Sequence, residues 1–388
     1  MLFNFLSKKY QVIKPRYHNF GGFYNSLFYG IYISIKMKKK FLILMYPLDF
    51  FYKKKEFYGT NLVISLLLKH SLKCFILSIF ISVIYNLIYV ISLIFRKIIY
   101  FPLITKHDKI FSWGSENINQ INRIVGDKKI YTDLYREFSK EITKKSHNNL
   151  NIVLGVKDTG FSEKKEISVN YTAEIQNYKK TLKYINSKNI FVSRIGEPLM
   201  KKFDYVNPFY EDLTRKKNYF YLSDNAFRNS NFYIGTGASN LALSRLYNKP
   251  SITSNSVAFL RVGLFDKKNS IIFKKIYSLK DKRILKFEEI FSKISLCFEI
   301  EFGKENLERQ GYVLKDNTSD EIYNQFQDFY DKKIYEKDIP DSKLLKEFKS
   351  MRNHYIEKYI TKIDLNNFEC MICNDFYVPD FYLENMIS

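Results

Sequence analysis

Hydrophobic and polar positions alternate in two different regimes along this chain. Up to about residue 100 the apolar runs are long and rich in aromatic side chains. QVIKPRY (residues 11–17) reads as extended and HNFGG (18–22) breaks it. FYNSLFYGIYISIK (23–36) then has helical spacing, and FLILMYP (41–47) reads as a buried strand. A strand, loop, helix, strand order of this kind resembles the opening of a Rossmann-like unit. Gly21 and Gly22 fall at the first strand-to-helix turn, where a backbone passes close to a ligand or a neighbouring element.

Residues 74–95, CFILSIFISVIYNLIYVISLIF, carry no charge. They are interrupted only by Ser78, Ser82, Asn86 and Ser92, and flanked by Lys69, Lys73, Arg96 and Lys97. Such a run is long enough to cross a bilayer, and cations at both ends leave its orientation open. Crossing would put the preceding strand-helix-strand unit on the opposite side from everything that follows, and a domain divided in that way cannot close one sheet. A helix in or against the membrane interface is therefore favoured over a spanning one, with a buried core helix as the third reading.

From 108 the pattern turns polar and helical, ending in the linker KKSHNNLN (144–151). The second regime then begins. NIVLGVKD (151–158) is a strand, IQNYKKTLKYINSK (175–188) has helical spacing, and NIFVSRIG (189–196) is a strand. Residues 223–255 read helix, strand, loop and helix, turn, strand. This alternation predicts a parallel sheet with right-handed crossovers. Residues 318–360 are charged and helical, and YVPDFYLENMI (377–387) is aromatic enough to dock. The expected architecture is α/β with two domains, 1–145 containing the apolar helix and 150–388 with a helical tail.

The formal charge of +22 favours anionic partners. Lys36, Lys38, Lys39 and Lys40, and Lys53, Lys54 and Lys55, lie beside apolar residues, as suits an anionic membrane surface. No zinc-finger spacing, basic helix leading into heptads or strand-binding aromatic motif points to nucleic acid. The opening MLFNFLSKKY is too short in apolar core for a cleavable signal peptide, which points to a cytoplasmic location. Of the four cysteines, Cys74, Cys297, Cys370 and Cys373, the last two form a CxxC without a second ligand pair, and no DxD appears, so no metal is expected.

The sharpest chemical feature is IGTGASN, Ile234 to Asn240, between an apolar strand and an amphipathic helix. Gly235 and Gly237 let the backbone approach a ligand, and Thr236, Ser239 and Asn240 offer polar groups. The next helix aims its positive end there, an arrangement that holds a diphosphate. Without a following Gly-Lys-Ser/Thr it is no Walker A loop, and an ordinary strand-to-helix turn is the plainer reading. Arg194, Gly196 and Glu197 end one strand, and Lys157 and Asp158 another, at the edge where open α/β sheets bind ligands. Arg194 or Lys157 would neutralise phosphate and Glu197 would hold ribose or sugar hydroxyls. Lys274 and Lys275 add cations. For a base that takes a hydroxyl proton, His18 is the first candidate and Asp49 the second.

These residues, in order, resemble a family of bacterial glycosyltransferases encoded among surface-polysaccharide genes. The likeness runs through LGVKDTGF, SRIGEPLM, YLSDNAFRNSNFYIGTGASNLALSRLYNKPSITSN, FKKIY, KFEEIF, NTSDEI and PDFYLEN. Members typically place His and Arg on the first strand, where this chain has Gly155 and Lys157. The resemblance implies a GT-B-like pair of Rossmann-like domains with the nucleotide-sugar donor in the C-terminal one, and a glycan or lipid-linked acceptor. It carries Arg194, Gly196, Glu197, Asp224, Gly235, Ser239 and Asn255 over as site residues. The expected activity is metal-independent sugar transfer, needing no cofactor, at the cytoplasmic face of a bacterial inner membrane. Alternatives are a pyruvyl-type transferase of polysaccharide modification, or a membrane-associated assembly protein with a decayed active site.

Overall fold

The computed structural model describes residues 9–13, 34, 38–44, 71–94, 110–111, 150–158, 172–217, 219–237, 244, 249–257, 259, 269–293, 295–297, 304–334, 340–360 and 376–387. The chain separates into two compact units, Met1–Arg136 and Glu137–Ser388.

In the first unit, β1 (Tyr10–Ile13) is followed by β2 (Lys40–Ile43), the helix α1 (Leu72–Ile94) and β3 (Ile110–Phe111). β1 is the central strand, parallel to both neighbours. The strands expected near 11 and 41 are present. Ile110–Phe111 is a correction: it lies in a stretch that reads as polar helix, yet it pairs with Val12 and Ile13. A two-residue strand has no period of its own, so pairing with a distant strand decides its conformation. The expected helix at 23–36 lies almost wholly outside the described residues.

α1 takes up the apolar run. Cys74, Ser78, Ile81, Ser82 and Tyr85 are buried. The Ile43 N–H donates to Ser78 Oγ at 3.1 Å, and Ser82 Oγ donates to the Ser78 carbonyl at 2.5 Å. One face of the helix is thereby fixed to β2. Its side chains are described as far as Leu87, and among the described residues no helix is long and apolar enough to cross a membrane.

The second unit opens with β4 (Asn151–Gly155), a 3-10 turn at Ile175–Tyr178 and α2 (Lys179–Ser187). Then come β5 (Phe191–Arg194), β6 (Tyr210–Asp212), α3 (Tyr219–Asn229), β7 (Phe232–Thr236), β8 (Ser251–Ser256) and β9 (Asn269–Phe273). They build a parallel six-stranded sheet in the order β6-β5-β4-β7-β8-β9. The chain winds outward from β4 to β6, then returns to the other side of β4. That is the doubly wound Rossmann-like order, and it puts the point where winding reverses between β4 and β7.

β7, β8 and β9 are buried along their whole lengths, as expected where both faces of a parallel sheet are covered. β8 reads SITSNS, and two side chains from beyond the sheet bond to this polar strand. Ser254 Oγ and Tyr178 Oη lie 2.6 Å apart, and Gln325 Nε2 donates to the Thr253 carbonyl at 3.1 Å. Buried polar groups are costly without partners, so these bonds favour packing of the Ile175–Tyr178 turn and of the Gln325 helix against β8.

A small antiparallel sheet follows, with β10 (Lys275–Ser278) between β11 (Arg283–Ile284) and, after α4 (Phe287–Phe291) and α5 (Lys304–Arg309), β12 (Tyr312–Lys315). The tail supplies α6 (Ser319–Ile334), α7 (Lys343–Ile360) and α8 (Asp380–Ile387). α6 starts with a capping box: the Thr318 N–H donates to Glu321 Oε2 at 2.8 Å and the Glu321 N–H to Thr318 Oγ1 at 3.2 Å. The aromatic end docks on its own domain. Tyr377 exchanges backbone bonds with β9, and Tyr382 Oη donates to the Phe273 carbonyl at 2.7 Å.

Candidate functional site at the strand ends of the second unit

At the reversal point, Gly155 of β4 lies opposite Gly235 of β7. A Cβ on Gly235 would stand 2.1 Å from the Gly155 carbonyl oxygen, so β7 admits no side chain at this position. Beneath them Tyr233 Oη is 2.9 Å from both the Gly155 and the Thr236 carbonyls. The Lys157 N–H donates to Thr236 Oγ1 at 3.1 Å, stapling the two strands just past their ends. Thr236, expected to offer its hydroxyl to a ligand, is fully buried and spends it here. Gly237 is half-buried with room for a methyl: its Cβ would meet Thr253 Cγ2 at 3.4 Å, an ordinary contact. Of the two glycines, position 235 is dictated by sterics inside the fold and position 237 is not.

Lys157 and Glu197 come together. Burial lowers the Lys157 ammonium below the ordinary lysine range, and the Glu197 carboxylate opposes that shift. Glu197 is half-buried, on a loop turned by Gly196 and closed by the Met200 N–H on the Glu197 carbonyl at 3.0 Å. Gly196 has φ +150°, and a Cβ there would collide with the end of the Met200 side chain.

Arg194 differs from its expected role. It is 0 % exposed, and Nη1 donates to Asp212 Oδ2 at 2.8 Å while Nη2 donates to Asp158 Oδ2 at 3.1 Å and to the Lys201 carbonyl at 2.9 Å. Both Asp158 oxygens accept the Lys201 N–H, and Asp212 Oδ1 accepts from Thr214. A guanidinium committed to two carboxylates is not available to phosphate. It holds the loop that carries Glu197 against the ends of β4 and β6.

Lys274 is likewise buried, 2.8 Å from Asp316 Oδ1. Asp316 Oδ2 also accepts the Glu174 N–H at 2.9 Å, and the neighbouring Ala173 N–H donates to the Lys157 carbonyl at 2.8 Å. Residues 172–174 therefore run across the strand ends and tie the Lys157 corner to the Lys274 corner. Asn255 has φ +56°, a conformation that asparagine tolerates. It forms a reciprocal clasp with Asn317: each N–H donates to the other's Oδ1 at 2.7 Å. Asn317 Nδ2 reaches the Phe273 carbonyl at 2.8 Å.

The structure thus gathers Lys157, Gly196, Glu197, Gly235, Thr236 and Gly237 at the reversal point, and it uses Arg194, Asn255 and Lys274 as internal ties. Ser239, Asn240 and His18 lie outside the described residues, as do Asp49, Cys370 and Cys373. Asp224 lies in α3, with its side chain undescribed. Among the described residues no group of three or more His, Cys, Asp or Glu side chains is gathered as a metal site would need. Sequence reasoning missed Asp212 and Asp316 as partners of the buried cations. A signal was available for one pair, since a buried arginine needs a carboxylate and Asp158 follows Lys157 directly.

No model of a known protein family matches the chain, and no curated protein matches it. A solved structure that does match is that of the wall teichoic acid polymerase TagF, at 12 % sequence identity and a TM-score of 0.24. The match covers 66 % of this chain and 54 % of that one, so the chain spans about half the length of the polymerase structure.

Proposed function

We propose that this protein is a glycosyltransferase that moves a sugar from a nucleotide-sugar donor to a surface-glycan or lipid-linked acceptor, without a metal ion or other cofactor, and that the donor binds in the second unit. The observation that carries this reading is the reversal of winding between β4 and β7, where paired glycines, the Thr236-Gly237 turn, a lysine and a carboxylate meet at the carboxyl ends of parallel strands. Backbone N–H groups in such a turn hold a diphosphate, and Lys157 supplies its counter-charge. Glu197 takes ribose or sugar hydroxyls. Arg194, Lys274 and Asn255 position these groups without touching the donor. His18 is the proposed acceptor-side base.

The test is thermal denaturation of the purified full chain with nucleoside diphosphates, their sugar conjugates and phosphoenolpyruvate, since a ligand that binds only the folded state raises the melting temperature. A rise with one nucleotide class, lost in Lys157→Ala while the ligand-free melt is kept, is the expected result. A response to phosphoenolpyruvate alone would replace sugar transfer with pyruvyl transfer. Silence with every ligand would leave a protein whose strand ends no longer bind a donor.

A further inference from the structure

The helix α1 is packed with its bulk reversed. Leu72, Ile76, Ile79, Phe80, Val83 and Leu87 recur at spacings of four, three, one, three and four residues, which puts them on one face, and all are exposed, Leu72 to 62 % and Leu87 to 57 %. The opposite face, turned to the protein, carries Cys74, Ser78, Ile81, Ser82 and Tyr85. Ser78 is bonded to β2 and Ser82 to the helix's own backbone. A helix at a water-facing surface does the reverse, hiding its largest apolar side chains and showing its hydroxyls. A contiguous apolar row of this extent marks a surface that meets something apolar.

Charge distinguishes the partners. From Cys74 to Phe95 the sequence holds no ionisable side chain except Tyr85, Tyr89 and Cys74, so a second helix laid along this face would find no charged flank to set its register or its orientation. The cations stand at the margins instead. Lys73 is exposed at the start of the helix, and Lys38 and Lys40 are exposed at the head of β2, the strand on which α1 packs. An exposed apolar row with a lysine at its head and exposed lysines at the head of the strand behind it matches acyl chains below and anionic headgroups above. We propose that α1 seats on an anionic bilayer through the row from Leu72 to Leu87, lying in the interface while its serine face stays on β2. This attachment belongs to the first unit and stands apart from donor chemistry in the second.

The experiment is flotation of the detergent-free full chain with vesicles of phosphatidylcholine, with and without phosphatidylglycerol, alongside sedimentation velocity without lipid. The chain is expected to float with phosphatidylglycerol vesicles. Phe80→Glu with Val83→Glu should lower the partition coefficient by about tenfold or more for each apolar side chain lost, and Lys73→Glu should remove part of the preference for the anionic lipid. Should the glutamate variant fail to melt cooperatively, Phe80→Trp in a Trp113→Phe background reads the same contact conservatively, its fluorescence being quenched by brominated acyl chains. Undiminished flotation of a folded glutamate variant, or no quenching at position 80, overturns the proposal. So does a chain that ignores vesicles and sediments as a dimer which the glutamates dissociate, because the face would then belong to a second copy.

Discussion

Lys157 is the side chain whose environment has the clearest chemical consequence. Burial favours its neutral form, so it gives up its proton at lower pH than an ordinary lysine, and the neighbouring Glu197 only moderates this. The unfolded chain then binds more protons in the window between the lowered folded value and the ordinary value near about 10.4, and stability from this group rises with pH across that window. Binding of an anion runs the other way: it needs the ammonium and is lost as pH rises through the lowered value. Calorimetric titration of a bound nucleoside diphosphate against pH should therefore show affinity falling earlier on the alkaline side than a solvent-exposed lysine would give. Lys157→Arg, which keeps its charge, should flatten that fall. The glycines beside it make a paired test. Gly235→Ala drives a methyl into the Gly155 carbonyl and should cost about 2–4 kcal/mol of stability in urea titrations. Gly237→Ala meets only ordinary contacts and should leave the unfolding free energy from urea titration within about 0.5 kcal/mol while weakening nucleotide binding. If both glycines cost the same stability, the turn is structural and holds no diphosphate.

Among elements, the strands with their own period could be read from the sequence and those defined by a partner could not. β4, β5 and β7 carry apolar runs bounded by breaks, and their parallel alternation with helices was legible, as were α1, α6 and α7. β6 is three residues long and contains Glu211 and Asp212. It is a strand by its pairing with β5, and Asp212 at its end supplies the buried Arg194 with a second carboxylate. That ion pair also explains why the donor role first assigned to Arg194 did not fit: a cation at a strand end looks the same in sequence whether it faces the crevice or an aspartate. The tie has a measurable consequence. Arg194→Met leaves Asp158 buried beside an apolar side chain and should destabilise the second unit by about 3–5 kcal/mol. Replacing Asp158 by Asn as well should recover part of the loss, because the stranded charge goes with it. Additive losses in the double variant, followed by urea denaturation, would mean that the two residues act separately.

For the molecule as a whole, the aromatic content of the C-terminal end has a structural explanation. The aromatic tail that looked ready to dock closes the sheet of its own unit. Tyr377 continues the sheet past β9, and its hydroxyl donates to Asp328 Oδ2 at 2.6 Å while Lys332 Nζ lies 2.5 Å away. Tyr382 then covers Phe287, ring centroids 6.3 Å apart, beside Phe273 and Phe348. A parallel sheet edge left bare offers unpaired backbone groups to other chains, so the segment both stabilises the unit and blocks that pairing. Removing residues 376–388 should thus do two things at once: lower the melting temperature of the second unit, and produce concentration-dependent association visible by light scattering below the new transition. Tyr382→Ala, which opens the aromatic cluster but keeps Tyr377 on β9, should show the first effect at about 3–5 kcal/mol without the second. Were both forms to associate alike, the exposed rings would be the cause and the strand edge would not. The separation between the two variants is what assigns the protective role to the backbone N–H and carbonyl of Tyr377, which pair with Asn269 and Ile271 of β9.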